Sequence, residues 1–116
     1  MSDSVLITKF REFATDIIFL CRKLEQRGVE SASINELIRC ATSVSDSVCD
    51  AQCAQCTEEF ISILKNVHQT CNESEDCLLR LYANNSLAET DFADFHDKCV
   101  ELRQMLVSTV TTLKSK

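Results

Sequence analysis

Glycine and proline are almost absent from this chain, which has 116 residues, one glycine (Gly28) and no proline. Hairpin turns and phosphate-binding loops use glycine where the backbone takes a positive φ angle or closely approaches a ligand. The Walker A loop, the dinucleotide-binding loop and the nucleophile elbow each require at least two glycines, so all three are excluded. The composition therefore favours helices joined by short connections.

Four segments carry apolar residues at alternating spacings of three and four, the period of an amphipathic helix. They predict helices at about 4–27, 34–51, 57–83 and 88–114 in one domain, 1–116. Amphipathic helices with short connections predict an all-α, up-down-up-down four-helix bundle. The residues predicted to face the core are Leu6, Phe10, Phe13, Ile17, Leu20, Leu24, Ile34, Leu37, Ala41, Val44, Val48, Ala51, Phe60, Ile63, Leu64, Val67, Cys71, Ser74, Leu78, Leu81, Phe92, Phe95, Cys99, Leu102, Leu106 and Leu113.

Local signals mark several helix ends. Gly28 follows a basic last turn and predicts the end of the first helix. Ser33 and Glu36 have the spacing of a capping box and predict the start of the second helix. The polar stretch 84–86 predicts the turn after the third helix.

Two features of the first two helices bear on how tightly they pack. Small residues crowd the second helix, which permits close approach of a neighbouring helix and predicts a tight interface there. Ile7, Ile18, Cys21 and Ile38 widen the apolar stripes, and such residues would be a liability if they faced solvent in a monomer. A homo-oligomer would cover such a surface.

The N-terminus has no basic segment followed by an apolar one, and no apolar run approaches membrane-spanning length. These patterns predict neither a signal peptide nor a membrane partner. A cytoplasmic location follows as an expectation, and there the eight cysteines are thiols rather than disulfides.

Cysteine spacing gives the only candidate metal ligands. Cys49, Cys53 and Cys56 are separated by four and three residues, but the paired C-x2-C knuckle of structural zinc sites occurs only once. We predict no metal site, no cofactor and no catalytic residue. Cys49 is expected to be buried, with Cys53 and Cys56 exposed, and the buried set is completed by Cys40, Cys71, Cys77 and Cys99.

The segment 37–51, the triplet Glu59-Phe60-Ile61 and the triplet Glu73-Ser74-Glu75 resemble the bacterial four helix bundle protein family. Its members include proteins encoded in intervening sequences of large-subunit ribosomal RNA genes, and it is related to the accessory variability proteins of diversity-generating retroelements. The resemblance covers nearly the whole chain in helix order and length. It implies that the second helix ends near Ala51, that 52–57 is a connection, and that the chain forms a ring of five copies.

Four polar positions match the family pattern: Arg39, Asp50, Glu73 and Glu75. An arginine among carboxylates in a bundle favours ion pairs between helices or subunits. Ile38, Ser47 and Ala51 depart from the pattern, in which these positions hold arginine, asparagine and glycine.

The resemblance implies a non-enzymatic, self-associating helical scaffold of the bacterial cytoplasm that serves a partner protein or ribonucleoprotein. The alternative is an accessory protein that binds nucleic acid, either ribosomal RNA or a retroelement ribonucleoprotein. Phosphate binding requires clustered lysine and arginine, whereas the net charge here is −6. The candidate nucleic-acid contacts are Arg11, Arg22, Lys23, Arg27 and Arg39.

Overall fold

The structure is a computed structural model that describes residues 4–115; residues 1–3 and 116 of the predicted domain lie outside the described residues. Within 4–115 it contains helices and no strand, which confirms the all-α prediction. The four helices are α1 (Ser4–Gln26), α2 (Ser31–Cys53), α3 (Thr57–Ala83) and α4 (Glu89–Lys114).

Each helix packs against the next one in the chain, and α1 also packs against α4. The α1–α2 interface is the most extensive and the α1–α4 interface the least. All four helices contribute to one core, in which Phe10, Leu37, Leu64 and Leu106 are almost completely buried. The residues predicted to face the core are all buried, except for three that are half-buried: Ile63, Phe92 and Leu113.

Left-handed residues end α1 and α3. Gly28 has φ of +76°, and the Val29 N–H donates to the Leu24 carbonyl at 3.1 Å, which closes the last turn of α1. Asn85, with φ of 61°, closes α3 in the same manner. Both predicted turns are confirmed.

The predicted capping box at the start of α2 is wrong. The helix begins at Ser31, with Glu30 at the N-cap position and no side-chain cap. Ser33 lies inside the first turn and donates to the Glu30 carboxylate at 3.3 Å. Glu36 instead accepts a hydrogen bond from Arg80 of α3 at 2.9 Å, and this pairing with another helix is invisible to a local capping rule.

The end of α2 also differs from the prediction. The helix continues to Cys53, two residues beyond Ala51, and the connection to α3 is 54–56 rather than 52–57. Gln52 and Cys53 are exposed, so extending the helix through them buries no polar side chain. Ala54 takes an extended conformation and ends the helix.

The wide apolar stripe of α1 is covered within the chain. Ile7 is 4% exposed and Cys21 is 2% exposed. Ile18 and Ile38 are half-buried and pack against the core. The chain's own helices therefore cover Ile7 and Cys21 fully and Ile18 and Ile38 in part, so these four residues do not by themselves require a second copy.

The small residues of α2 also serve contacts within the chain. Ala41 and Ser47 are buried in the single chain. The Ser43 and Thr70 hydroxyls lie 3.4 Å apart across the α2–α3 interface. Small side chains allow neighbouring helices to approach closely, so part of this pattern has an explanation inside the bundle.

Candidate functional site

The α2–α3 interface carries two exposed ion pairs. Arg39 donates to Glu73 at 2.8 Å, and Arg80 donates to Glu36 at 2.9 Å. The hydrogen bond to Glu73 raises the pKa of Arg39 above its usual value. More than half of the Arg39 side chain is exposed, so solvent screens this pair and it fixes orientation more than stability. Arg39 and Glu73, two of the predicted polar positions, therefore meet within one chain.

Glu75 belongs to a different interface from Glu73. Positions two apart on a helix point in widely different directions, and Glu75 lies toward α4. Both of its oxygens accept hydrogen bonds from Arg103, at 3.2 and 3.3 Å, and one lies 2.9 Å from His96 Nδ1. Arg103 also donates to Asn72 at 3.3 Å. The Arg103 and Glu75 side chains are only 20% and 23% exposed, which makes this the least exposed ion pair described in 4–115.

Aromatic rings extend the α3–α4 interface beside this cluster. Tyr82 of α3 stacks on Phe92 of α4 with centroids 4.9 Å apart and planes 6° from parallel. Phe92 in turn lies 6.0 Å from the His96 ring at an angle of 20°. The sequence did not predict Arg103 or the role of His96, because their partners are distant in the chain and no local spacing indicates these contacts.

Ion pairs line the surface of the α1–α4 interface, outside a core contact in which the buried Phe13 and Phe95 rings lie 5.2 Å apart. Lys9 pairs with Glu101 at 3.2 Å, and Lys98 pairs with Asp16 at 3.0 Å. The hydrogen bond to Asp16 raises the pKa of Lys98. Asp91 receives two cations from α1: Lys23 at 3.6 Å and Arg27 at 3.8 Å.

Shallow grooves accompany this open interface. One cavity of about 140 Å³ lies over Phe13 and Leu102 and is rimmed by the ion pairs of Lys9 and Lys98. The next, which we call the α1–α4 groove, has a volume of about 150 Å³. Both are smaller than the roughly 300–1,000 Å³ of typical ligand pockets. The α1–α4 groove is lined by Asp16, Phe19, Leu20, Lys23, Asp91, Asp94, Phe95 and Lys98.

A third cavity, of about 450 Å³, lies between the α1–α2 and α3–α4 connections. Its lining is 27–29 and 85–88, and Arg27 is the one titratable side chain in it. Arg27 already pairs with Asp91. Ser86 supplies a hydroxyl to the lining, and no histidine, cysteine or acidic side chain lies in this lining to act as its base.

Three of the five candidate nucleic-acid contacts already bind carboxylates. Lys23 and Arg27 share Asp91, and Arg39 pairs with Glu73. Within 4–115, Arg11 and Arg22 have no ion-pair partner, and the Arg22 guanidinium lies 6.0 Å from the ring centroid of Phe19. These five cations therefore do not form a phosphate-binding patch free of acidic neighbours.

The last predicted polar position, Asp50, is exposed near the end of α2. Among the described residues it has no ion-pair partner. It lies on the same helix as Arg39 but three turns away, so the structure does not bring the two together.

The three candidate metal ligands are all exposed. The prediction that Cys49 is buried is wrong, because Val48 and Ala51 occupy the inward positions of this turn and Cys49 points outward. Cys56 follows the end of α2, so it does not continue the face of Cys49 and Cys53. Within 4–115, no group of three or more histidine, cysteine or acidic side chains could hold a metal ion.

The other five cysteines are buried in the core. Burial raises the pKa of Cys21 and Cys40 to about 11 and that of Cys71 to about 12. The pKa values of Cys77 and Cys99 are raised for the same reason. These thiols stay protonated at neutral pH and act as small apolar side chains.

The chain also matches a known protein family. The model of the 23S rRNA-intervening sequence protein family matches residues 2–108. The chain belongs to this family. The resemblance drawn from the sequence of α2 and α3 is thereby confirmed.

The fold of the chain also occurs in a solved structure. It is similar to the crystal structure of a protein of unknown function from the S23 ribosomal protein family of Bacteroides thetaiotaomicron. The TM-score is 0.86 at 24% sequence identity, over 96% of this chain and 99% of the other. At this identity the match shows a shared fold. None of the curated proteins compared matches the chain.

Within 4–115, none of the four helices is long and apolar enough to cross a membrane.

Proposed function

We propose that this protein is a non-enzymatic helical scaffold whose copies associate with one another. Its unit is an up-down-up-down four-helix bundle, and its assembly is a ring of five in the bacterial cytoplasm. The ring would present a repeated surface to a partner protein or ribonucleoprotein. Family membership and the resemblance noted above support this assembly.

The observation that carries the proposal is the exposure of Phe19. Its side chain is 57% exposed on α1, at the edge of the α1–α4 groove, and Leu20 and Phe95 line the same groove. An exposed aromatic beside an incompletely closed groove is typical of a protein interaction surface. Since the other helix interfaces are more extensively packed, we assign this groove to contact with a second copy.

The order of the ion pairs supports the up-down-up-down unit. Along α1, Lys9, Asp16 and Lys23 pair with residues of α4 whose numbers fall as those of α1 rise. This register is expected for antiparallel neighbours. The short connections of the chain favour the same arrangement.

The distribution of charge favours a scaffold over a nucleic-acid-binding protein. Binding to a phosphate backbone depends on lysines and arginines that are free to replace counterions. Three of the five candidate cations are already paired with carboxylates, and the whole chain carries a net charge of −6. Of the candidate set, Arg11 and Arg22 are the ones left for such contacts.

Light scattering coupled to size-exclusion chromatography tests the proposal. The wild type at micromolar concentration is expected to elute as an oligomer, and Phe19→Glu is expected to shift it to the monomer. Leu79→Glu is the matched control, because Leu79 is similarly exposed, at 51%, but lies on α3. It should leave the oligomer intact.

The same run with structured RNA tests the alternative. We expect no gain of mass at low or moderate salt. A species that gains RNA at low salt and loses it at moderate salt would support the nucleic-acid function instead. A wild-type monomer at micromolar concentration would exclude the ring, and dissociation by Leu79→Glu but not by Phe19→Glu would place the interface elsewhere.

A further inference from the structure

The C-terminal half of α2 has an exposed face made of metal-ligating side chains. Asp46, Cys49, Asp50 and Cys53 are all exposed. Their spacings of three, four and seven residues place them on one side of the helix. This face is not part of the α1–α4 groove, so substitutions on it leave Phe19 and the rest of the groove lining unchanged.

Within that face, two thiols lie one helical turn apart. Residues separated by four on a helix have Cβ atoms about 5–6 Å apart. Metal–thiolate bonds are roughly 2.3 Å long, as they are for zinc, so one ion between two opposed sulfurs needs them roughly 4–5 Å apart. Each sulfur is one bond beyond its Cβ, so rotation about χ1 can bring the two sulfurs closer together than the two Cβ atoms are. Cys49 and Cys53 can therefore bind one ion together without moving the backbone.

The ligand number selects the kind of ion. Structural zinc takes four ligands, and no group of three or more suitable side chains comes together in 4–115. Iron–sulfur clusters need four cysteines in reach and fail for the same reason. A soft monovalent cation such as Cu(I) binds thiolates preferentially and is satisfied by two of them in a linear arrangement.

Two further observations restrict the site to these thiols and favour a cation there. The five remaining cysteines of the helices are buried, and their raised pKa values disfavour the thiolate. No lysine or arginine occurs from 40 to 64, whereas Asp46 and Asp50 flank the thiols. The local field thus attracts a cation.

We propose that Cys49 and Cys53 form a two-thiolate binding site for Cu(I) on the exposed face of α2. Two copper–sulfur bonds form, the two thiol protons pass to solvent, and no electron is transferred. The exposed Cys56 is not a third ligand, because no three cysteine, histidine or acidic side chains come together in 4–115.

The test uses the full-length protein, reduced and kept free of oxygen, titrated with Cu(I) against a chromophoric Cu(I) chelator. Wild type and Cys56→Ser should retain one equivalent of copper per chain. Cys49→Ser and Cys53→Ser should each bind at least roughly 100-fold more weakly, because each variant removes one of the two thiolates that hold the ion together on α2. Circular dichroism should show that all four proteins remain helical.

Several outcomes would overturn the site. Equal copper retention by Cys49→Ser and the wild type would remove the pair, and loss in Cys56→Ser would point to a three-thiol site. One copper per two chains, with copper-dependent dimerisation, would mean that the ion bridges molecules. None of these results bears on the oligomer test, which depends on Phe19.

Discussion

The two interfaces of α1 differ in kind. Toward α2, the helix packs along its length, and no ion pair joins the two helices among the described residues. The Cys21 thiol lies 3.8 Å from the Ile34 carbonyl oxygen there. Toward α4, the backbones approach each other at fewer positions, the buried Phe13 and Phe95 rings lie 5.2 Å apart, and ion pairs around Asp16 and Asp91 cross the surface. Burial of apolar surface stabilises far more than exposed charge pairs do, so α2 holds α1 in the bundle and α4 is the looser neighbour.

Truncation of core side chains tests the stronger interface first. Phe10→Ala on α1 and Leu37→Ala on α2 should each lower the free energy of unfolding by about 2–5 kcal/mol, because both side chains are completely buried. Urea denaturation followed by circular dichroism measures the change. Phe19→Ala, at the groove beside α4, should change it by less than about 0.5 kcal/mol in the monomer. A similar loss for Phe19→Ala would mean that the two interfaces contribute alike.

Alkaline pH should affect the α1–α2 interface through Cys21. Burial raises the pKa of this thiol from 9.0 to about 11. The unfolded chain releases the proton first, so stability is fully present below pH 9.0 and falls as the pH rises toward 11. Within this window each pH unit should cost at most about 1 kcal/mol from this group, because the folded and unfolded chains differ by less than one bound proton.

Urea denaturation between pH 8 and pH 10.5 measures that slope. Cys21→Ala should have a shallower slope than the wild type, because the substitution removes the buried thiol. Identical slopes in the two proteins would show that Cys21 is not buried as a thiol.

Enlarging a small residue tests how closely α2 packs. Ala41 is 2% exposed, and Ala41→Leu should destabilise the fold by about 1–3 kcal/mol through overpacking. Ala93→Leu is the matched control, since Ala93 is exposed on α4. Thermal unfolding should show a lower midpoint for Ala41→Leu than for Ala93→Leu. A tolerated Ala41→Leu would imply spare room beside α2.

The smallest expected effect belongs to the α1–α4 interface. A double-mutant cycle of Asp16→Asn and Lys98→Gln should give a coupling free energy of about 0.2–1 kcal/mol at low salt. At about 1 M salt the Debye length falls to about 3 Å, so most of the coupling should disappear. A coupling above about 2 kcal/mol that survives salt would show that this pair, rather than packing, closes the groove.

The buried faces of the four helices could be predicted from the sequence because helical periodicity depends only on local spacing. The turns at Gly28 and Asn85 were also predictable, since their residue types suit a left-handed conformation. The start of α2 was not, because Glu36 pairs with Arg80, far away in the chain. The cluster of Glu75, His96 and Arg103 was not predictable either, because its members are also far apart in the chain.

The site predictions depended on information that a sequence does not carry. That Arg39 and Glu73 pair within one chain depends on the register between α2 and α3. Burial of Ile7 and Cys21 depends on which neighbouring helix covers them. The sequence did not predict that Phe19 is exposed. An aromatic residue within an apolar run is expected in the core unless the orientation of its helix is known.

The order in which the helices pack has a consequence for how the chain acquires its shape. Because each helix makes its main contacts with a neighbour in sequence, few contacts require the chain to close a long loop. Helical chains rich in such short-range contacts fold on a timescale of about microseconds to milliseconds. During synthesis α1 and α2 can therefore join before α3 and α4 leave the ribosome, and the sparse α1–α4 contact is completed last.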